Sequence, residues 1–172
     1  MTSVRKQTLD EILRILRKEI AWDVERGDTC QPIDPDAIVF RKISGERDIN
    51  AGRSMERLPG IFVSCPGTEP VPEESGENAH DEYRWMFLCQ ICDSDKYGPD
   101  DNIGTYWLWQ EKLCRKLHFK CLDNIDAFRS FSTARSVNVV DERYWVKEEM
   151  FKAGVVIMVR VWMTRISDDT RL

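Results

Sequence analysis

The chain is poor in the features that usually mark a chemistry. It has two histidines among 172 residues, His80 and His118, and they are far apart in the sequence. Its glycines at 52, 60, 67 and 76 are isolated. The phosphate-cradling G-x-x-x-x-G-K-[ST] loop is therefore missing, and so is a G-x-S-x-G nucleophile elbow. Positive charge is not in excess: 25 Lys and Arg stand against 30 Asp and Glu, a net charge of −5. That balance argues against a dedicated duplex-DNA binder. Long apolar runs are lacking as well. The longest, 155–159, closes at Arg160, far short of the roughly 20 residues of a membrane-spanning helix. The first residues are charged and periodic (Arg5, Lys6, Asp10, Glu11, Arg14), unlike the uninterrupted apolar core of a secretory signal. A cytoplasmic setting is expected, and with it reduced thiols. The six cysteines, at 30, 65, 89, 92, 114 and 121, read as free buried side chains rather than disulfides.

What is present is a globular composition, 42% hydrophobic and 32% charged, at a length that suits one domain over 1–172. Leu9, Ile12, Leu13, Leu16 and Ile20 follow the spacing of one apolar helix face, so a helix is expected over 4–26. Thr8 and Glu11 have capping-box spacing and Gly27 is a natural stop. Short strands are expected at 37–43 and 58–65, the second with Pro59 at its start, where a missing amide donor is tolerated. Residues 82–92 alternate cleanly. Tyr83, Trp85, Phe87, Cys89 and Ile91 fall on one face, and Arg84, Met86, Leu88, Gln90 and Cys92 on the other. A second helix is expected over 102–120, a turn of helix at 125–131, and a hairpin of 137–147 with 153–165, whose second strand sets Val155, Ile157, Val159, Val161 and Met163 on one face and Val156, Met158, Arg160, Trp162 and Thr164 on the other. The order predicts an α+β fold: a mostly antiparallel sheet with two main helices on one face, and long polar loops at 44–57 and 66–80.

Several constellations mimic sites. Cys89 and Cys92 form a C-x-x-C, but a separation of three on a strand sends the side chains to opposite faces, and a redox pair wants its first cysteine at a helix N-terminus. His80 sits beside Asp81 and Glu82 with no second histidine in range. His118 falls near a helix C-terminus, as a cap or a surface group. The aspartates at 93, 95, 100 and 101 miss the EF-hand ligand order. No catalytic residue, metal site or cofactor is expected.

The remaining candidates are contacts. Ile15 and Trp22 lie off the main stripe of the first helix, either as scattered surface apolar residues or as a subunit contact. Arg47, Arg53 and Arg57 make a basic loop. Residues 66–80 hold three prolines, two glycines and four glutamates, including Glu73, Glu74 and Glu77, with no Lys or Arg. The two loops read either as solvated surface or as opposed patches on neighbouring subunits.

Taken together, the helix TLDEILRILRKEI (8–20), the strand AIVFRKI (37–43), the Pro-Gly strand LPGIFVSC (58–65), the long strand DEYRWMFLCQI (81–91), the helix WLWQEKLCRKL (107–117) and the closing GVVIMVRVWMTR (154–165) resemble the tail-terminator, or tail-completion, proteins of long-tailed bacteriophages. The extra length sits in the 44–57 and 66–80 loops. The resemblance implies a structural virion protein of the tail or neck, assembled in the host cytoplasm and without enzymatic activity. It implies a ring, typically a hexamer, that ends the tail tube and meets the head-side connector, with DNA only as passing cargo and no membrane partner. A head-closure or neck adaptor, or a minor tail protein, is the neighbouring alternative, and a thiol-dependent enzyme the distant one.

Overall fold

Ser3 opens the first helix, α1 (Val4–Lys18), by accepting the amide of Lys6 at 3.3 Å. This is the computed structural model of the chain, and it describes residues 3–23, 32–40, 58–65, 80–94, 99–138 and 150–164. The expected cap at Thr8 is instead an interior helical residue whose hydroxyl donates to the Val4 carbonyl at 2.9 Å. The helix also ends sooner than expected, with Glu19 as its C-cap. Its last turn carries Arg17 and Lys18, the sign that the helix dipole favours there. Beyond it the chain folds inward: the Trp22 indole donates to the Leu16 carbonyl at 2.8 Å, satisfying a group that a continuing helix would have used.

A 3-10 turn, Pro35–Ala37, leads into β1 (Ile38–Phe40). The other strands are β2 (Gly60–Ser64), β3 (His80–Ser94), β4 (Arg129–Asn138) and β5 (Met150–Thr164), with α2 (Pro99–Leu117) between β3 and β4. They form one five-stranded sheet in the order β1-β2-β3-β5-β4. β1 pairs parallel with β2, and the remaining pairs are antiparallel. The α+β architecture is as the sequence predicts.

Both helices share one core with the odd-numbered residues of β3 and β5. Trp109, Tyr106 and Phe87 are its largest fully buried side chains. The Trp109 indole donates to the Trp22 carbonyl at 3.2 Å, and the Tyr106 hydroxyl to Asp93 at 3.2 Å. No helix among the described residues is long and apolar enough to cross a membrane.

A further expectation is overturned. No helical turn forms at 125–131; the strand begins at Arg129, and the extension toward 147 lies outside the described residues. The inward positions of β4 are small: Ser130, Ser132 and Ala134, all buried. Small side chains let the segment after α2 press against the strand. The Ser132 hydroxyl donates to Leu117 at 2.8 Å and the Ser132 amide to Lys120 at 2.8 Å. Ser130 donates to the Leu122 carbonyl at 2.6 Å, and His118 Nδ1 accepts the Ala134 amide at 3.2 Å. Hydroxyls without bulk read as turn residues in sequence but act here as strand-to-loop ties. They also occupy the backbone of an outer strand. On β1, Arg17 takes the Ile38 carbonyl at 3.0 Å through Nε. Occupied edges of this kind disfavour continuing the sheet into another molecule.

Candidate interaction surface

The register of β3, β5 and β4 builds the face of the sheet that the helices leave open. Four rows cross it. Glu82, Trp162 and Arg129 make the first, and Arg84, Arg160 and Phe131 the second. Met86, Met158 and Thr133 follow, then Leu88, Val156 and Arg135. Arg129, Arg135, Arg160 and Met86 are exposed, the last at 39%. Trp162, Phe131 and Met158 are half-buried. Toward the β2 end the same face closes, and Phe62, Cys92 and Val156 are buried.

Charge on this face is organised around one carboxylate. Glu82 accepts from Arg84 Nε at 2.9 Å and lies 3.7 Å from Arg160 Nε. The Arg129 guanidinium stands 5.9 Å from the Trp162 ring centre, within reach of a cation–π attraction. At the margin, Phe119 packs its ring 5.6 Å from Phe131 and is still 68% exposed, while Phe128 is 70% exposed. Among the described residues Phe119 is the non-glycine with positive φ, at 55°. That left-handed position, two residues past the end of α2, is one glycine ordinarily takes.

The helix side of the molecule carries a different cluster. Glu11 holds Arg14 through two bonds, at 2.7 and 2.8 Å, and accepts from Asn124 at 2.8 Å. Glu19 accepts from Lys120 at 2.7 Å and Arg14 at 2.5 Å, and pairs with Lys116 at 3.1 Å. The Arg14 bonds hold the Glu11 carboxyl below its ordinary range, against the opposing pull of burial. The Lys120 bond, followed by those of Arg14 and Lys116, brings Glu19 down to about 2. These carboxylates are ionised and occupied, so the cluster is a tie between α1 and the end of α2 rather than an acid–base pair. An open cleft of about 400 Å³ beside it is lined by Gln7, Asp10, Glu11, Arg14 and Asn124, residues largely engaged with one another.

Two of the described thiols, Cys89 and Cys114, are shifted away from activation. Burial pushes Cys89 far above its usual range, and Cys114 rises for the same reason with Glu111 adding to it. Cys89 and Cys92 point to opposite faces of β3, as the spacing predicts. The described cysteines are free, but Cys121 is exposed and Cys65 and Cys114 are half-buried, so the expectation that all are buried fails. Among the described residues no group of His, Cys, Asp or Glu is arranged to hold a metal ion.

Of the contact candidates, Ile15 and Trp22 are corrected. They are 0% and 3% exposed and belong to the core. The short helix explains the error: it is buried over a wider arc than one stripe, and Trp22 lies beyond its end, turned inward. Arg47, Arg53, Arg57, Glu73, Glu74 and Glu77 lie outside the described residues. The sequence singles out no contact residue on this face: Arg129 and Phe131 fall in the turn of helix expected at 125–131, and Arg135 lies between that turn and the strand expected from 137. The alternation of Ser130, Ser132 and Ala134 with larger side chains was the available signal. No protein-family model matches the chain, and no curated protein matches it.

Proposed function

We propose that the chain is a virion assembly subunit of the tail-terminator kind. It forms a ring, six copies to the ring, that ends a phage tail tube and meets the head-side connector, with DNA passing through as cargo. It works by contact rather than by chemistry. The observation that carries this reading is the open sheet face: four arginines, two aromatic rings and two methionines beside a core whose thiols and carboxylates are buried or paired. Such a surface has contact as its natural use. The order of helices and strands is also the order that the resemblance leads one to expect.

Native mass spectrometry of the purified chain, alone and mixed with tail tubes, tests it. Six-copy rings, free or on tube ends, are the expected result. A chain that stays monomeric at high concentration and leaves tube ends bare overturns the reading.

A further inference from the structure

Arginine and aromatic side chains alternate on the open face in a two-by-two block. Arg129 stands beside Trp162, and Phe131 beside Arg160. Interface cores are enriched in Trp, Phe, Met and Arg, and that is the composition of these rows. Phe119 extends the block at its margin, keeping its ring outward from a left-handed backbone position.

The charge on the face constrains what can cover it. Its four rows hold four arginines and one glutamate, in a chain of net charge −5. A two-fold contact through this face would set arginines against arginines, so self-pairing of identical patches is disfavoured. A head-to-tail contact needs an anionic surface elsewhere on the chain. The longest stretch without Lys or Arg is 58–83, and Glu69, Glu73, Glu74 and Glu77 fall within it. Both outer strands already have backbone groups engaged by Lys120, His118 and Arg17, which disfavours edge-to-edge pairing as the contact.

We propose that the Arg129–Trp162–Phe131–Arg160 face docks the acidic 66–79 stretch of a second copy. The inference rests on the assembly reading above and names the surface through which copies meet.

Charge reversal tests it. Arg129→Glu with Arg160→Glu is expected to weaken association at least tenfold by native mass spectrometry, while far-ultraviolet circular dichroism stays unchanged. Glu73→Arg with Glu74→Arg and Glu77→Arg is expected to do the same, and mixing the two reversed chains to restore association. Oligomers that persist in the arginine variant overturn the assignment of the face and leave the ring reading standing. A synthetic peptide of residues 66–79 separates the two ideas further. Peptide binding that depends on Arg129 and Arg160, in a chain that never assembles, removes the ring and keeps the recognition. Equal peptide binding by wild-type and reversed chains overturns the recognition. A photo-crosslinker placed at Phe131 in a mixture of isotope-labelled and unlabelled chains is expected to join different chains. Cross-links confined to single chains, or arginine-dependent binding of single-stranded DNA in place of the peptide, also overturn it.

Discussion

The two faces of the sheet are written by alternate residues of the same strands, yet they follow different rules. On the helix side, Trp85, Phe87, Cys89 and Ile91 of β3 meet Val155, Ile157, Val159 and Val161 of β5, and every one is buried. On the other side, one residue along, stand Arg84, Met86, Leu88, Met158, Arg160 and Trp162, exposed or half-buried. Period-two geometry lets one strand hold the fold together with one set of side chains and present contacts with the other. Stability should therefore respond to the first set and association to the second.

The sharpest break in that comparison comes from neighbours on β3. Phe87→Ala removes a fully buried ring and is expected to cost about 3–5 kcal/mol in urea unfolding. Met86→Ala, one residue away and 39% exposed, is expected to cost under about 1 kcal/mol. Similar losses from the two would mean that the open face is packed like the covered one.

A smaller separation is expected on β4. The Ser132 hydroxyl donates to Leu117 at 2.8 Å, with the Lys120 carbonyl, already held by the Ser132 amide, at 3.1 Å, and its loss takes that bond from the Leu117 carbonyl. Ser132→Ala is expected to lower stability by about 1–2 kcal/mol. Thr133→Ala, on the opposite face, is expected to change it by less than about 0.5 kcal/mol. A thermal melt of each variant reads the difference.

How much of this was legible beforehand depended on bulk. The alternation of β3 and β5 could be read from the sequence because large apolar side chains mark every second position. α1 was legible as an amphipathic helix, but its end was not. Nothing local stops a helix at Lys18; the stop comes from Trp22 turning back to Leu16, a contact that exists only once the core forms. β4 was illegible because its inward side chains are Ser130, Ser132 and Ala134, which carry no hydrophobic signal. The open face followed the same divide. Its β3 and β5 positions appeared in the alternation, while Arg129, Phe131 and Arg135 stayed hidden with their strand. Ile15 and Trp22 are misplaced by helical spacing alone, which does not say how wide an arc the rest of the protein covers.

Electrostatics offers a subtler contrast, because among the described residues a dense ion cluster lies on the helix side. Glu19 is drawn from an ordinary value of 4.5 down to about 2 by Lys120, Arg14 and Lys116. A carboxylate with a lowered folded-state pKa contributes stability that is fully present above its unfolded value and fades as the pH falls toward the folded one. Melting temperature is therefore expected to drop between about pH 4.5 and 2, and Glu19→Gln to flatten that part of the profile. An unchanged profile would show that the cluster does not hold α1 to α2.

The finest test concerns Phe119, which sits where the comparison between stability and association is most nearly balanced. Its positive φ of 55° carries a backbone cost of about 1–2 kcal/mol for a residue with a Cβ. Phe119→Gly relieves that cost but gives the unfolded chain more freedom, a loss of about 0.5–1 kcal/mol. It also removes the ring at 5.6 Å from Phe131, worth about 0.5–1.5 kcal/mol where such pairs are well packed and less here, with Phe119 68% exposed. The three effects nearly cancel, so the melting temperature of the isolated chain is expected to move by only a few degrees. Association is expected to weaken, because the substitution removes an exposed ring at the margin of the Phe131 block. Phe119→Asn, which also tolerates the left-handed region, should behave the same way. A loss of folding stability without a loss of association would place Phe119 with the core and move the boundary between the two faces.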